Sequence, residues 1–174
     1  MKSKKHLRRI VIAALIAAVY TALTYATAAA GLAYGQIQFR LSEAMCVLAA
    51  FTPAAIPGLT VGCLLSNIGS TLGPIDWICG TLATLLASAA AYYLRNIKIK
   101  QIPWLVPLPS VVFNGLIVGA ELACVFGDGN TFITLFAINA LWVALGELAV
   151  CYVIGIPLYV IIDRCKLLKR LISV

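Results

Sequence analysis

Residues Gln36 to Glu43, reading Gln-Ile-Gln-Phe-Arg-Leu-Ser-Glu, place two amides, a guanidinium and a carboxylate together in an otherwise overwhelmingly apolar chain. Ionisable and amide groups at membrane depth cost several kcal/mol unless they face a cavity, a partner or a ligand, roughly the penalty of an unpaired buried polar group. Glu121 and Glu147 are the two carboxylates that fall well inside long apolar runs. Asn114 and Glu121 are seven residues apart and share a helix face, while Asn139, Trp142 and Glu147 lie within one broad face of the next helix. Two such stripes on consecutive antiparallel helices can line one pocket. At about 1.5 Å per residue, Asn139 and Glu121 fall about 12 Å and 8 Å below the outer helix ends, and Glu147 lies deeper. Asn67, Asp76 and Trp77 reach the same outer level, although Asp76 also suits a helix cap and Trp77 an interfacial anchor. Arg40 and Glu43, three residues apart, either pair with each other or turn toward a ligand. Gln36, Gln38 and Phe39 can cover a pocket with amides and one ring.

The chemistry available is binding. No Gly-rich loop with Lys-Ser/Thr is present, so the chain does not hydrolyse ATP, and it has no HExxH motif, no Ser/His/Asp set and no paired His ligands. Six cysteines are scattered singly with no CxxC pair, and His6 is the one histidine. A zinc site or a disulfide framework is not expected, nor is any cofactor.

The elements that hold these residues must lie in a bilayer. Hydrophobic residues make up 63% of the 174, charged residues 11%, and mean hydropathy is +1.02. A soluble domain carrying that composition would expose large apolar patches. A spanning helix needs about 20 residues, so short connections leave room for about six. Basic residues fall into clusters at 2–9, 95–100 and 164–170. If these stay in the cytoplasm, both termini and the middle loop are inside, with four crossings before that loop and two after it. The net charge of +7 then reads as topology and attraction to anionic headgroups, with no nucleic-acid partner. The first apolar run outlasts a signal-peptide core and is read as a retained first span.

Helices are expected over about 8–30, 41–52, 54–72, 76–95, up to 126 after Pro103, Pro107 and Pro109, and 131–164, in one transmembrane domain over 1–174. A bend is placed at Tyr34–Gly35, a stop at Pro53, a turn at 127–130 and a tilt or kink near Pro157. Ala13, Ala14, Ala17 and Ala18 begin a ladder that lets another helix approach closely, either inside the bundle or in a partner subunit. Gly58, Gly62, Ser66 and Ser70 form a second close-packing face, and Gly80, Thr84 and Ser88 a third.

The basic start with its Ala ladder, Gln38-Phe39-Arg40-Leu41-Ser42-Glu43-Ala44, Phe51-Thr52-Pro53-Ala54-Ala55-Ile56-Pro57-Gly58 and Leu82-Ala83-Thr84-Leu85 resemble the QueT family. These are the queuosine-precursor S components, or substrate-binding subunits, of energy-coupling factor transporters. The likeness covers nearly the whole chain and is most specific over 38–58. It implies a six-helix subunit in a bacterial plasma membrane that captures a 7-deazaguanine base or queuine near the outer face. It also implies docking of the Ala face on a membrane coupling subunit driven by two cytoplasmic ATPase subunits. The substrate positions it implies are Gln38, Arg40, Asp76, Trp77, Asn114, Glu121, Asn139 and Trp142. A carboxylate such as Glu121 can accept the N–H and amino donors of the base edge, Asn139 and Gln38 can assist, and Trp142 or Trp77 can stack. Still open at this point are an S component for another vitamin or nucleobase, a small membrane enzyme using Glu121 and Glu147, and a stand-alone channel or carrier.

Overall fold

The computed structural model describes residues 2–31, 33, 39–128 and 131–172. Within them every regular element is helical: α1 (Lys2–Ala29), a 3-10 helix (Leu41–Ala50), α2 (Ala55–Asn67), α3 (Pro74–Leu94), α4 (Leu108–Phe126) and α5 (Phe132–Leu148). A π-helical stretch (Ala149–Gly155), α6 (Ile156–Arg164) and α7 (Lys166–Ile172) complete the chain. Each long helix packs chiefly on the next, α1 on α2, α2 on α3, α3 on α4 and α4 on α5, while the 3-10 helix lies against α1, α3, α6 and the π stretch.

Four helices among the described residues are long and apolar enough to cross a membrane: Ser3–Ala29, Pro74–Leu94, Leu108–Phe126 and Phe132–Arg164. The two apolar helices over Leu41–Ala50 and Ala55–Asn67 are shorter. Each reaches only about 20 Å, the first because a 3-10 helix rises about 2.0 Å per residue, against a hydrocarbon core of about 30 Å. The expected helix over 54–72 therefore ends early, at Asn67, whose side chain is turned inward.

Small residues set the helix separations. A Cβ on Gly58 would lie 2.8 Å from the Ala13 carbonyl oxygen, and one on Gly62 would lie 2.8 Å from Tyr20 Cβ and 3.0 Å from the Ala17 carbonyl oxygen. The Ala ladder is thereby divided. Ala17 is buried and Ala13 half-buried against α2, whereas Ala14 and Ala18 are exposed. On the far side, a Cβ on Gly119 would lie 2.7 Å from Ala140 Cα, so α4 and α5 touch backbone to backbone.

The core beneath is formed by Ile16, Tyr20, Met45, Leu48, Leu59 and Val106 with their neighbours. Phe51 stacks on Tyr159 at 4.8 Å between ring centres, tying the end of the 3-10 helix to α6. The chain winds as a π stretch just before Pro157. Pro157 stands in the first turn of α6, where its missing N–H breaks the hydrogen-bond ladder behind it and the chain takes up an extra residue per turn. The turn at 68–73 and residues 33, 39 and 40 gather at one end of the bundle, where Arg40 meets Asn67 and Asp76 and Leu72 packs on Val118, Leu122 and Val143.

Candidate functional site

Arg40 organises that end. It is 5% exposed, and its Nη1 donates to Asn67 Oδ1 at 3.0 Å, its Nε donates to the Ala33 carbonyl at 3.0 Å, and its Nη2 lies 3.6 Å from Asp76 Oδ2. Asn67 in turn donates from Nδ2 to the Asp76 carbonyl at 3.0 Å, stitching the end of α2 to the start of α3. A buried ion pair survives desolvation only when further hydrogen bonds satisfy it, and the amide and carbonyl supply them. The expected pairing of Arg40 with Glu43 gives way to this arrangement. Asp76 is also not a helix cap. Gly73, with φ of +69°, occupies the cap position, Pro74 opens the helix, and the Asp76 carboxylate, 1% exposed, faces Arg40.

Around this ion pair lie buried polar atoms with no hydrogen-bond partner among the described residues. They include both carboxylate oxygens of Glu121, Asn139 Oδ1, Asn114 Nδ2, Trp77 Nε1, Thr81 Oγ1 and Thr84 Oγ1, and both Asp76 oxygens, one of which meets Arg40 only at ion-pair distance. Glu121 is 3% and Asn139 1% exposed. The Glu121 carboxylate lies within Coulombic range of both Asp76 and Arg40. Natural interiors leave few such atoms unpaired, because each costs about 1–3 kcal/mol. A group of them on three consecutive helices, α3, α4 and α5, is the arrangement a polar solute would complete.

A second, deeper polar group differs. Tyr20 Oη donates a hydrogen bond to Glu43 Oε1, Asn114 stands beside the same carboxylate, and Thr24 Oγ1 bonds Ser42 Oγ at 2.7 Å. Cys151 Sγ lies 3.4 Å from Glu147 Oε2 and 3.5 Å from the Glu43 carbonyl, joining the π stretch to the 3-10 helix. Glu43 and Glu147, each 4% exposed, are thus engaged within the protein. Gly155 permits the approach, since a Cβ there would lie 3.1 Å from the Ala44 carbonyl.

The structure therefore brings Arg40, Asn67, Asp76 and Glu121 together, places Asn114 between the two groups, and sets Asn139 on the buried face of α5 one turn from Val143. Trp77 is half-buried. Trp142 stands apart at 42% exposed, because it points between neighbouring buried positions on α5 and out of the bundle. Gln36, Gln38, the Tyr34–Gly35 bend and the 129–130 part of the outer turn lie outside the described residues.

Sequence reasoning missed Tyr20, Ser42, Thr81, the Thr84 hydroxyl and Cys151. The signal for Tyr20 was present: Tyr20, Thr24 and Thr27 recur at three- and four-residue spacing on α1 and are all buried. By spacing alone Thr84 reads as a small packing residue.

The model of the QueT transporter family matches residues 10–164. The queuosine precursor transporter QueT of Lactococcus lactis subsp. cremoris (strain MG1363) is 40% identical to this chain over 77 residues, a match covering 44% of this chain and 45% of that relative. The chain thus spans less than half the length of the curated relative in this match. No solved structure matches it. The family match runs from Ile10 in α1 to Arg164 at the end of α6 and takes in every element of both polar groups, so the chain belongs to the QueT transporter family, a family of transporters rather than enzymes.

Proposed function

We propose that this chain is the S component of an energy-coupling factor transporter and captures a queuosine precursor, a 7-deazaguanine base or queuine, for import. The observation that carries the reading is the set of unpartnered buried polar atoms on α3, α4 and α5. A deazaguanine supplies what they lack: N–H and amino donors for the Glu121 carboxylate, a carbonyl oxygen for Asn114 Nδ2, and a flat face for Trp77. Asn139 and Gln38 contribute further hydrogen bonds. Arg40 and Asn67 hold the chain before the 3-10 helix against α3 and thereby position Asp76. Glu43 and Glu147 serve the fold, since their donors come from within the protein, and Trp142 faces lipid.

In this reading the bundle crosses a bacterial plasma membrane six times, the two short helices included, with both termini cytoplasmic and the Arg40 end outward. The coupling subunit docks beside the exposed Ala14 and Ala18. A groove of ≈ 550 Å³ runs alongside, lined by Ala13, Ala14, Ala17, Pro53, Pro57 and Val61, and small side chains there permit close helix approach. Two cytoplasmic ATPase subunits power reorientation of the loaded bundle.

The test is native mass spectrometry of the detergent-purified chain offered a panel of deazapurines, paired with uptake in cells with and without the coupling and ATPase subunits. Retention of a deazaguanine and uptake only with the partners are expected. Retention of none would overturn the substrate assignment, and ATP-independent uptake by the reconstituted chain alone would replace the S component with a stand-alone carrier.

A further inference from the structure

A second groove, of ≈ 660 Å³, runs along α1 far from the polar site. Val11, Leu15 and Val19 of α1, Met45 and Leu48 of the 3-10 helix and Ile172 of α7 wall it, and Lys4 and Arg8 stand at its end. None of its α1 residues lines the groove beside Ala13 and Ala17, and Leu15 and Ala17, two residues apart, point to nearly opposite sides of the helix. Met45 and Leu48 are buried beneath it, while Val11, Leu15 and Val19 are exposed. Arg8 Nη2 donates to the carbonyls of Arg170 and, at 3.1 Å, Leu171, which holds α7 against α1 as the end wall. Those acceptors are neutral, and neither Lys4 nor Arg8 forms an ion pair among the described residues. From Lys4 to Val19 the groove follows about 22 Å of helix, and one bilayer leaflet with its headgroups is also about 20–22 Å thick. With its apolar length in hydrocarbon, its two cations lie at headgroup level.

We infer that this groove is a site for one anionic diacyl phospholipid, with its phosphate held by Lys4 and Arg8 and an acyl chain laid along Val11, Leu15 and Val19. An ammonium and a guanidinium both donate charge-assisted hydrogen bonds to phosphate oxygens. A partner helix fits less well, because close helix approach in a membrane uses small residues and this face presents Leu and Val. It would also leave two cations without an anion. The site rests on the proposed reading only in that α1 crosses a bilayer.

The experiment offers the detergent-purified full chain equal amounts of phosphatidylglycerol and phosphatidylcholine with the same acyl chains, and reads retained lipid by native mass spectrometry. The wild-type protein is expected to prefer phosphatidylglycerol by about tenfold or more, since each basic residue near the surface contributes a factor of about five toward anionic lipid. Lys4→Gln should lower that preference by about threefold or more, whereas Lys100→Gln, on a basic loop outside the groove, should leave it unchanged. Leu15→Trp, which fills the groove from an exposed position, should reduce retention of both lipids. Equal wild-type retention of the two lipids, or equal losses in Lys4→Gln and Lys100→Gln, would overturn the site in favour of diffuse attraction to a basic surface. Unchanged lipid in Leu15→Trp would overturn the groove as its location, and conversion of a dimer to a monomer by that variant would assign the groove to a second copy of the chain. Deazaguanine retention in the same spectra is a separate reading: its presence without lipid sinks the lipid site alone, and lipid without it sinks the substrate assignment alone. Should Leu15→Trp fail to fold, the comparison of Lys4→Gln with Lys100→Gln, both at exposed positions, decides.

Discussion

Glu43 and Glu121 are similarly buried glutamates in the same bundle, yet one accepts a hydrogen bond from Tyr20 and neither oxygen of the other has a hydrogen-bond partner among the described residues. The first sits where α1, α4 and the 3-10 helix converge, and removing it would strand a tyrosine hydroxyl. The second sits among groups that the protein leaves incomplete. The contrast separates a residue that holds the fold from one that the fold holds in readiness, and burial alone does not distinguish them.

The contrast can be broken most directly at the deep glutamate. Glu43→Ala should lower unfolding free energy in detergent by about 3 kcal/mol, the upper range for stranding a buried hydrogen-bonding partner, and chemical denaturation of the ligand-free chain would read it. At the other glutamate the effects should separate. Glu121→Gln is expected to weaken ligand retention by about 1.5–3 kcal/mol, the span for a charge-assisted hydrogen bond. Its ligand-free melting temperature should hold or rise, as expected when a buried polar group without an internal hydrogen-bond partner is replaced at a functional site. A drop in melting temperature matching that of Glu43→Ala would erase the distinction.

A similar split runs along α1. Ala17→Leu should cost about 1–3 kcal/mol of stability by overpacking against Gly62, whereas Ala18→Leu on the exposed side should leave melting and ligand retention unchanged and abolish uptake. Equal destabilisation by both would mean that the whole ladder is internal. The smallest effect belongs to Trp142→Ala, where affinity should change by less than about 0.5 kcal/mol, the usual bound for surface positions away from a site. A large loss measured by the same ligand competition would bring Trp142 back into the pocket.

The long helices were legible because hydropathy over 20 residues reports an apolar surround directly. The 3-10 winding of Leu41–Ala50 was not, since that segment takes its form from packing on the π stretch, α1, α3 and α6, which no local propensity encodes. The cap at the start of α3 illustrates the same limit. Asp76 satisfies the local rule for capping, but the buried guanidinium of Arg40, 36 residues earlier, outcompetes it, while the Gly73-Pro74 pair already met the needs of the helix start. Of the candidate site, the polar residues themselves could be read from their cost in an apolar setting. Which of them already had partners required the fold, and Tyr20 and Cys151 made that difference for Glu43 and Glu147.

The opposed windings of the two packed segments have a mechanical consequence. Ten residues drawn out as a 3-10 helix cover about 20 Å, where the same residues wound as an α-helix would cover about 15 Å. The seven-residue π stretch against them is coiled more loosely and holds spare length. The bundle thus carries its own slack alongside its own stretch, side by side just below the Arg40 cluster.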